Sequence, residues 1–159
     1  MKKMVLIGLM LIAGTSFAAP SQTANLVISG VVTAVNEIEI TPNANATTLN
    51  IIGGEISKSV ASISETSNNL TGYQIYMRSA SGSKLVHGVN PLKSTAYKIS
   101  YDGAAEISLP TTDVSMKNVT SLAGLTTVAS DVKVSVTPYA TAPAGTYSDT
   151  ITVSIVANN

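Results

Sequence analysis

The residues able to do chemistry are few and scattered. His87 is the one imidazole, and the chain holds no Cys and no Trp. A zinc site built from imidazole and thiolate ligands therefore lacks its second member, and thiol chemistry is excluded. His87 lies in a Gly-flanked loop, Val86-His87-Gly88, which predicts a surface position. The carboxylates Asp102, Asp113, Asp131 and Asp149 stand alone, mostly beside turn residues, and none opens an oxygen-rich D-x-D-x-D-G calcium loop. Turn chemistry accounts for them. An acid–base couple would need two of them to meet across the fold, in a cleft of the aromatic kind this chain is too poor in aromatics to build. Gly53-Gly54 and Gly82 lack phosphate-loop spacing. The Asn45-Ala46-Thr47, Asn69-Leu70-Thr71 and Asn118-Val119-Thr120 acceptor patterns are what chance gives in so Asn- and Thr-rich a chain. The expectation is a protein without catalytic centre, cofactor or metal.

Something other than a site must therefore organise the sequence. Of 159 residues, 11% are charged, against roughly 25% in an average soluble domain. Nine basic and nine acidic groups balance, and losing Lys2 and Lys3 with the leader leaves a slight negative excess. That balance argues against a nucleic-acid partner, because phosphate binding needs clustered Lys and Arg. Disulfides are impossible without Cys. A hydrophobic content of 45% still permits a core, and the length suits one domain.

Residues 1–18 read as a secretory signal. Lys2 and Lys3 form the charged start, Met4 to Ala13 the apolar run, and Ser16-Phe17-Ala18 the small-residue cleavage pattern. The apolar run is about half the length a bilayer span requires. An exported protein is expected.

After the leader, period-2 alternation dominates. Leu26, Ile28, Gly30, Val32 and Ala34 share one face of a predicted strand, which continues loosely through Ile38 and Ile40 to Pro42. Residues 58–66 form another run, followed by a turn at Ser67-Asn68-Asn69. Tyr73, Ile75 and Met77 alternate, then Leu85-Val86 as a short edge, then Tyr97, Ile99 and Tyr101 before the hairpin signal Asp102-Gly103. Residues 113–128 are open between strand, loop and a helical turn. Val132, Val134 and Val136 alternate, and Pro143-Ala144-Gly145 predicts a last hairpin into Tyr147, Ile151, Val153 and Ile155. Seven to nine short, one-sided strands predict an all-β antiparallel sandwich of immunoglobulin-like type.

The two ends of the mature chain resemble the fimbrial subunits assembled by the chaperone–usher route, closest to the non-type-1, spore-coat-U-like branch. The first end is Leu26-Val27-Ile28-Ser29-Gly30-Val31-Val32, similar to a donor strand with a glycine at one facing position. The second is Gly145-Thr146-Tyr147 followed by Ile151, Val153 and Ile155, similar to that family's last strand. The chain departs from many type 1-like relatives in lacking a disulfide and in carrying Asn158 where they have a penultimate aromatic.

The resemblance implies a leader at 1–18, a donor strand at 19–33, and a pilin-like sandwich at 34–159 that is short of one strand. Leu26, Ile28 and Val32 would fill pockets of another subunit's groove, with Gly30 where the groove is shallow. Gly145, Tyr147, Ile151, Val153 and Ile155 would line the acceptor side. It further implies partners: copies of itself or sister subunits, a periplasmic chaperone, an outer-membrane usher, and a host receptor if the fibre is adhesive. The destination would be a cell-surface fimbria reached through the periplasm. The alternative from the residues alone is a self-complete secreted sandwich that binds carbohydrate or protein, with residues 26–34 as its own first strand.

Overall fold

A computed structural model describes residues 21–159, and the predicted leader lies outside the described residues. Two compact units divide after Val32. In the first, residues 21–32 carry no regular secondary structure and are exposed throughout. The second is an all-β domain whose first strand begins at Asn36.

Nine strands build it: β1 (Asn36–Pro42), β2 (Glu55–Ser67), β3 (Tyr73–Ser79), β4 (Lys84–His87), β5 (Ser94–Tyr101), β6 (Val114–Val119), β7 (Thr126–Val136), β8 (Tyr147–Ser148) and β9 (Ile151–Ala157). They form a six-stranded sheet in the order β1-β2-β7-β5-β4-β8 and a three-stranded sheet in the order β6-β3-β9. Every pairing is antiparallel. The architecture is an immunoglobulin-like antiparallel sandwich, as the alternation predicts.

The alternation places the core. Tyr73, Ile75 and Met77 of β3 face Tyr97, Ile99 and Tyr101 of β5 and Val132, Val134 and Val136 of β7, all of them buried. Gln74, Tyr76 and Arg78 on the other face of β3 are half-buried or exposed. Residues 114–119, ambiguous in sequence, form β6 and pair with β3 across a bulge between Ile75 and Tyr76.

Two expectations are corrected. The turn after β7 does not close a hairpin. Tyr147-Ser148 pairs instead with β4 in the larger sheet, and Ile151–Ala157 crosses to pair with β3 in the smaller one. The chain thus bridges the two layers between Ser148 and Ile151, where Asp149 ties it down. The Asp102-Gly103 turn, with Asp102 at φ 51°, returns only to a single bridge between Ile99 and Ile107. Backbone demand for a turn is local, whereas the choice of partner strand depends on which layer buries the apolar face.

Register defines two ends. Loops 43–54, 88–93 and 137–146 lie at the upper end, beyond Pro42, His87 and Val136; the turns 68–72 and 120–125 lie at the lower end with the chain terminus. Asn68 holds the chain where it enters the domain: its Oδ1 accepts from Val35 N–H at 2.8 Å, and its Nδ2 donates to Thr33 O at 2.8 Å. At the same end, Asn158 Nδ2 donates to Thr71 O (2.9 Å) and Val119 O (2.8 Å), and Asn158 N donates to Gly72 O (3.0 Å). Asn158 thus pins β9 to two lower turns.

Candidate functional site: an apolar groove between β1 and β9

β1 is the last strand of one sheet and β9 the last of the other. Between them, toward the upper end, a half-open groove of ≈ 220 Å³ enters the core. Ile40 and Pro42 of β1, with Ala46 and Leu49 of the following loop, form one wall; Ile151 and Val153 of β9 form the other. Met77, Tyr97, Ile99, Val132 and Val134 lie at its floor. The lining is almost wholly aliphatic. An edge strand also presents unpaired backbone donors and acceptors, so β9 offers both an apolar trough and a template for main-chain pairing.

The loop wall is shaped by local polar chemistry. Asn43 N-caps a single 3-10 turn (Ala44–Thr47), its Oδ1 accepting from Asn45 N–H at 3.0 Å. Asn45 Nδ2 donates to Ser59 O at 2.9 Å, which fastens the turn against β2. Leu49 is thereby held over the groove with its side chain packed on the core.

Asp149 closes the upper end of the groove with a polar stop. Its Oδ2 accepts from Ser79 Oγ (2.5 Å) and Tyr97 OH (2.7 Å), and its Oδ1 from Ser81 N–H (3.0 Å) and Thr150 N–H (2.7 Å). Four donors fully satisfy the carboxylate, as a partly buried charge requires. Burial and the Asp149 charge push the Tyr97 hydroxyl well above the ordinary phenol range.

The predicted acceptor residues fall into two groups. Ile151 and Val153 line the groove, while Ile155, farther down β9, packs on the core below it. Gly145 and Tyr147 lie elsewhere, at the upper end beside His87. The ring of Tyr147 meets His87 edge-on at 5.0 Å and Tyr139 at 6.4 Å. Gly145 has φ 151°, and a Cβ there would fall 2.2 Å from His87 Nε2, so only glycine fits. His87 itself corrects the surface expectation: it is buried, at 7% exposure. Its Nδ1 accepts from Val89 N–H and Asn90 N–H, each at 3.1 Å, which leaves the proton on Nε2 to donate to Ala144 O at 3.1 Å. Every ring nitrogen has a structural task.

Of the predicted donor residues, Leu26, Ile28 and Val32 are exposed, and Gly30 has nothing within reach of a Cβ. No strand ladder among the described residues draws on any position before Asn36.

A second polar cluster leaves no trace in the local residue pattern. Glu65 is fully buried, yet its carboxylate accepts from Tyr73 OH (2.6 Å), Tyr101 OH and Ser130 Oγ (2.6 Å). Lys117 Nζ stands 3.2 Å from Glu65 Oε2 and 2.8 Å from Asp102 Oδ2. The cluster gathers β2, β3, β5, β6 and β7 and joins the two sheets. Burial opposes the charge on Lys117, but the two carboxylates outweigh it and hold its pKa above the ordinary lysine value. Tyr73 and Tyr101 are both pushed up, by burial first and then by the Glu65 carboxylate. A lysine paired with two carboxylates is a poor nucleophile, so the arrangement serves cohesion. No group of three or more potential metal ligands occurs among the described residues.

No family model matches the chain, and no curated protein matches it significantly. The functional reading rests on the chain's own residues and geometry.

Proposed function

We propose that the protein is a structural subunit of a bacterial surface fimbria, polymerised by strand donation. The groove between β1 and β9 accepts the leading segment of another copy or a sister subunit. Leu26, Ile28 and Val32 enter its aliphatic trough, with Gly30 at a shallow position, while the donor backbone pairs with the free edge of β9. The observation that carries this reading is the coincidence of an open apolar groove beside an unpaired strand edge with an alternating apolar segment in the same chain. Burying three such side chains contributes about 1.5–3 kcal/mol each, before any main-chain pairing is counted. Until a donor arrives, the groove is an aggregation hazard, which accounts for the periplasmic chaperone; an outer-membrane usher then exchanges chaperone for subunit. A host receptor, if the fibre binds one, would be reached after export. The test is the surface material itself. A ladder of multimers that resists detergent unless boiled, and that disappears when residues 19–33 are deleted, supports the reading. A sharply melting monomer with its N-terminus intact favours instead a self-complete binding module.

A further inference from the structure

β2 ends at Ser67, opposite Asn36, and the chain then turns away at 68–72. The ladder nevertheless continues past that pair. Asn68 N–H donates to Val35 O at 3.2 Å. In a longer β2, Val35 N–H would bond to the carbonyl of residue 68, and Thr33 O to the N–H of residue 70. The Asn68 side chain makes both bonds instead: its Oδ1 accepts from Val35 N–H and its Nδ2 donates to Thr33 O, each at 2.8 Å. A primary amide carries the same acceptor and donor as a peptide group, so one side chain stands in for the missing strand. The turn that carries it is fixed in place, since Asn69 Nδ2 donates to Gly72 O (2.7 Å) and to Asn158 O (3.0 Å), just past the end of β9. Thr33 to Val35 are thereby held in line with β1, directed out of the lower end.

We infer that Asn68 is a latch that keeps the leading segment of each copy out of that copy's own groove, so that donation goes to a neighbour. The inference rests on the strand-donation reading and names what regulates it. Ile40 and Pro42 of β1 form a wall of the groove, and β1 is the last strand of its sheet. The segment that precedes β1 is therefore the nearest candidate to fill it. A reversal over residues 33–35 would lay that segment antiparallel along β1 as a hairpin, and three-residue hairpin loops are common. So short a tether gives an effective concentration on the order of millimolar, about a thousandfold above a neighbouring copy at micromolar level. Left unopposed, self-insertion wins. The reversal turns the chain at Thr33 and Val35, so it breaks all three bonds to Asn68. At ordinary net strengths these bonds offset about a hundredfold of the difference. β1 and β9 run in opposite directions between the two ends. A self-inserted segment would therefore meet β9 in the parallel sense, the slightly weaker pairing. Asn68 lies outside the groove lining and acts as a positioning residue, through the backbone it holds.

The test uses the full mature chain, refolded at dilution, with a synthetic 21–34 peptide as probe. Asn68→Ala should give a compact monomer that does not lengthen into a ladder. It should bind the peptide at least tenfold more weakly than the unsubstituted chain, because its own segment fills the groove. In an Ile28→Asp background, whose own segment cannot fill a groove, adding Asn68→Ala should leave peptide binding unchanged and show only its cost in stability. An Asn68→Ala chain that forms the ladder and binds the peptide as the unsubstituted chain does overturns the latch, while strand donation stands. An equal loss of peptide binding in both backgrounds overturns it as well, since Asn68 would then act on the groove itself. If the unsubstituted chain neither forms a ladder nor binds the peptide, strand donation fails and the latch falls with it.

Discussion

The side-chain oxygen of Asn68 accepts the backbone N–H of Val35 at 2.8 Å, and this bond fixes where the leading segment departs from the sandwich. The same side chain donates to Thr33 O, so two main-chain groups at the exit depend on one residue. Asn68→Ala is expected to cost about 1–2 kcal/mol in chemical denaturation, from two lost hydrogen bonds at a half-exposed site. Asn68→Asp, which keeps the acceptor and loses the donor, should cost less.

Glu65 is the larger investment. Glu65→Ala leaves three buried hydroxyls without their shared acceptor and Lys117 with Asp102 as its one remaining carboxylate, so a loss of about 3–5 kcal/mol is expected. Lys117→Met should cost less, because Tyr73, Tyr101 and Ser130 still satisfy the carboxylate. Denaturant midpoints of the two variants, compared at equal m-value, check the order. Equal losses would mean that the ion pair rather than the hydroxyl cluster holds the sheets together.

Alkali offers a separate readout. Tyr73, Tyr97 and Tyr101 all have pKa values raised in the fold, by burial foremost and by neighbouring carboxylates. In the unfolded chain they ionise near pH 10. The stabilisation they contribute is therefore complete below pH 10 and is lost as pH rises from there through their folded values. Absorbance of phenolate should show these three of the six tyrosines ionising only together with unfolding, in one steep step. A smooth titration of all six with the fold intact would contradict the burial of their hydroxyls.

At the upper end, Gly145→Ala should destabilise by about 1–3 kcal/mol, since the new methyl meets the His87 ring and the backbone angle disfavours a side chain. Adding His87→Ala to Gly145→Ala should cost less than the sum of the single changes, because the clash is gone. Strict additivity would show that the ring and the glycine do not constrain one another.

Much of this fold is legible in the alternation. Tyr73-Ile75-Met77, Tyr97-Ile99-Tyr101 and Val132-Val134-Val136 declare their strands and inward faces because a half-buried strand leaves a period-2 trace. What stayed hidden depends on distance in the chain. Glu65 reads as a solvated residue among serines, and only folding brings Tyr73, Tyr101, Lys117 and Ser130 around it. His87 reads as a loop residue because its partners, Ala144 O and the N–H groups of Val89 and Asn90, are backbone. The step of the chain from β8 to β9 is invisible locally, since a turn sequence does not say which sheet comes next. Half of the groove is legible too: Ile151 and Val153 stand out by alternation, whereas Ala46 and Leu49 sit in what reads as loop.

Strand donation requires the trough beside β9 to receive the leading segment of another copy. Hydrogen exchange of the mature protein, deleted for its leading segment and held soluble by dilution, with and without a synthetic peptide of residues 21–34, measures this. Strand donation predicts slowed exchange along β9 and in the loop carrying Leu49, abolished when the peptide carries Ile28→Asp. Unchanged exchange along β9 at saturating peptide would contradict it.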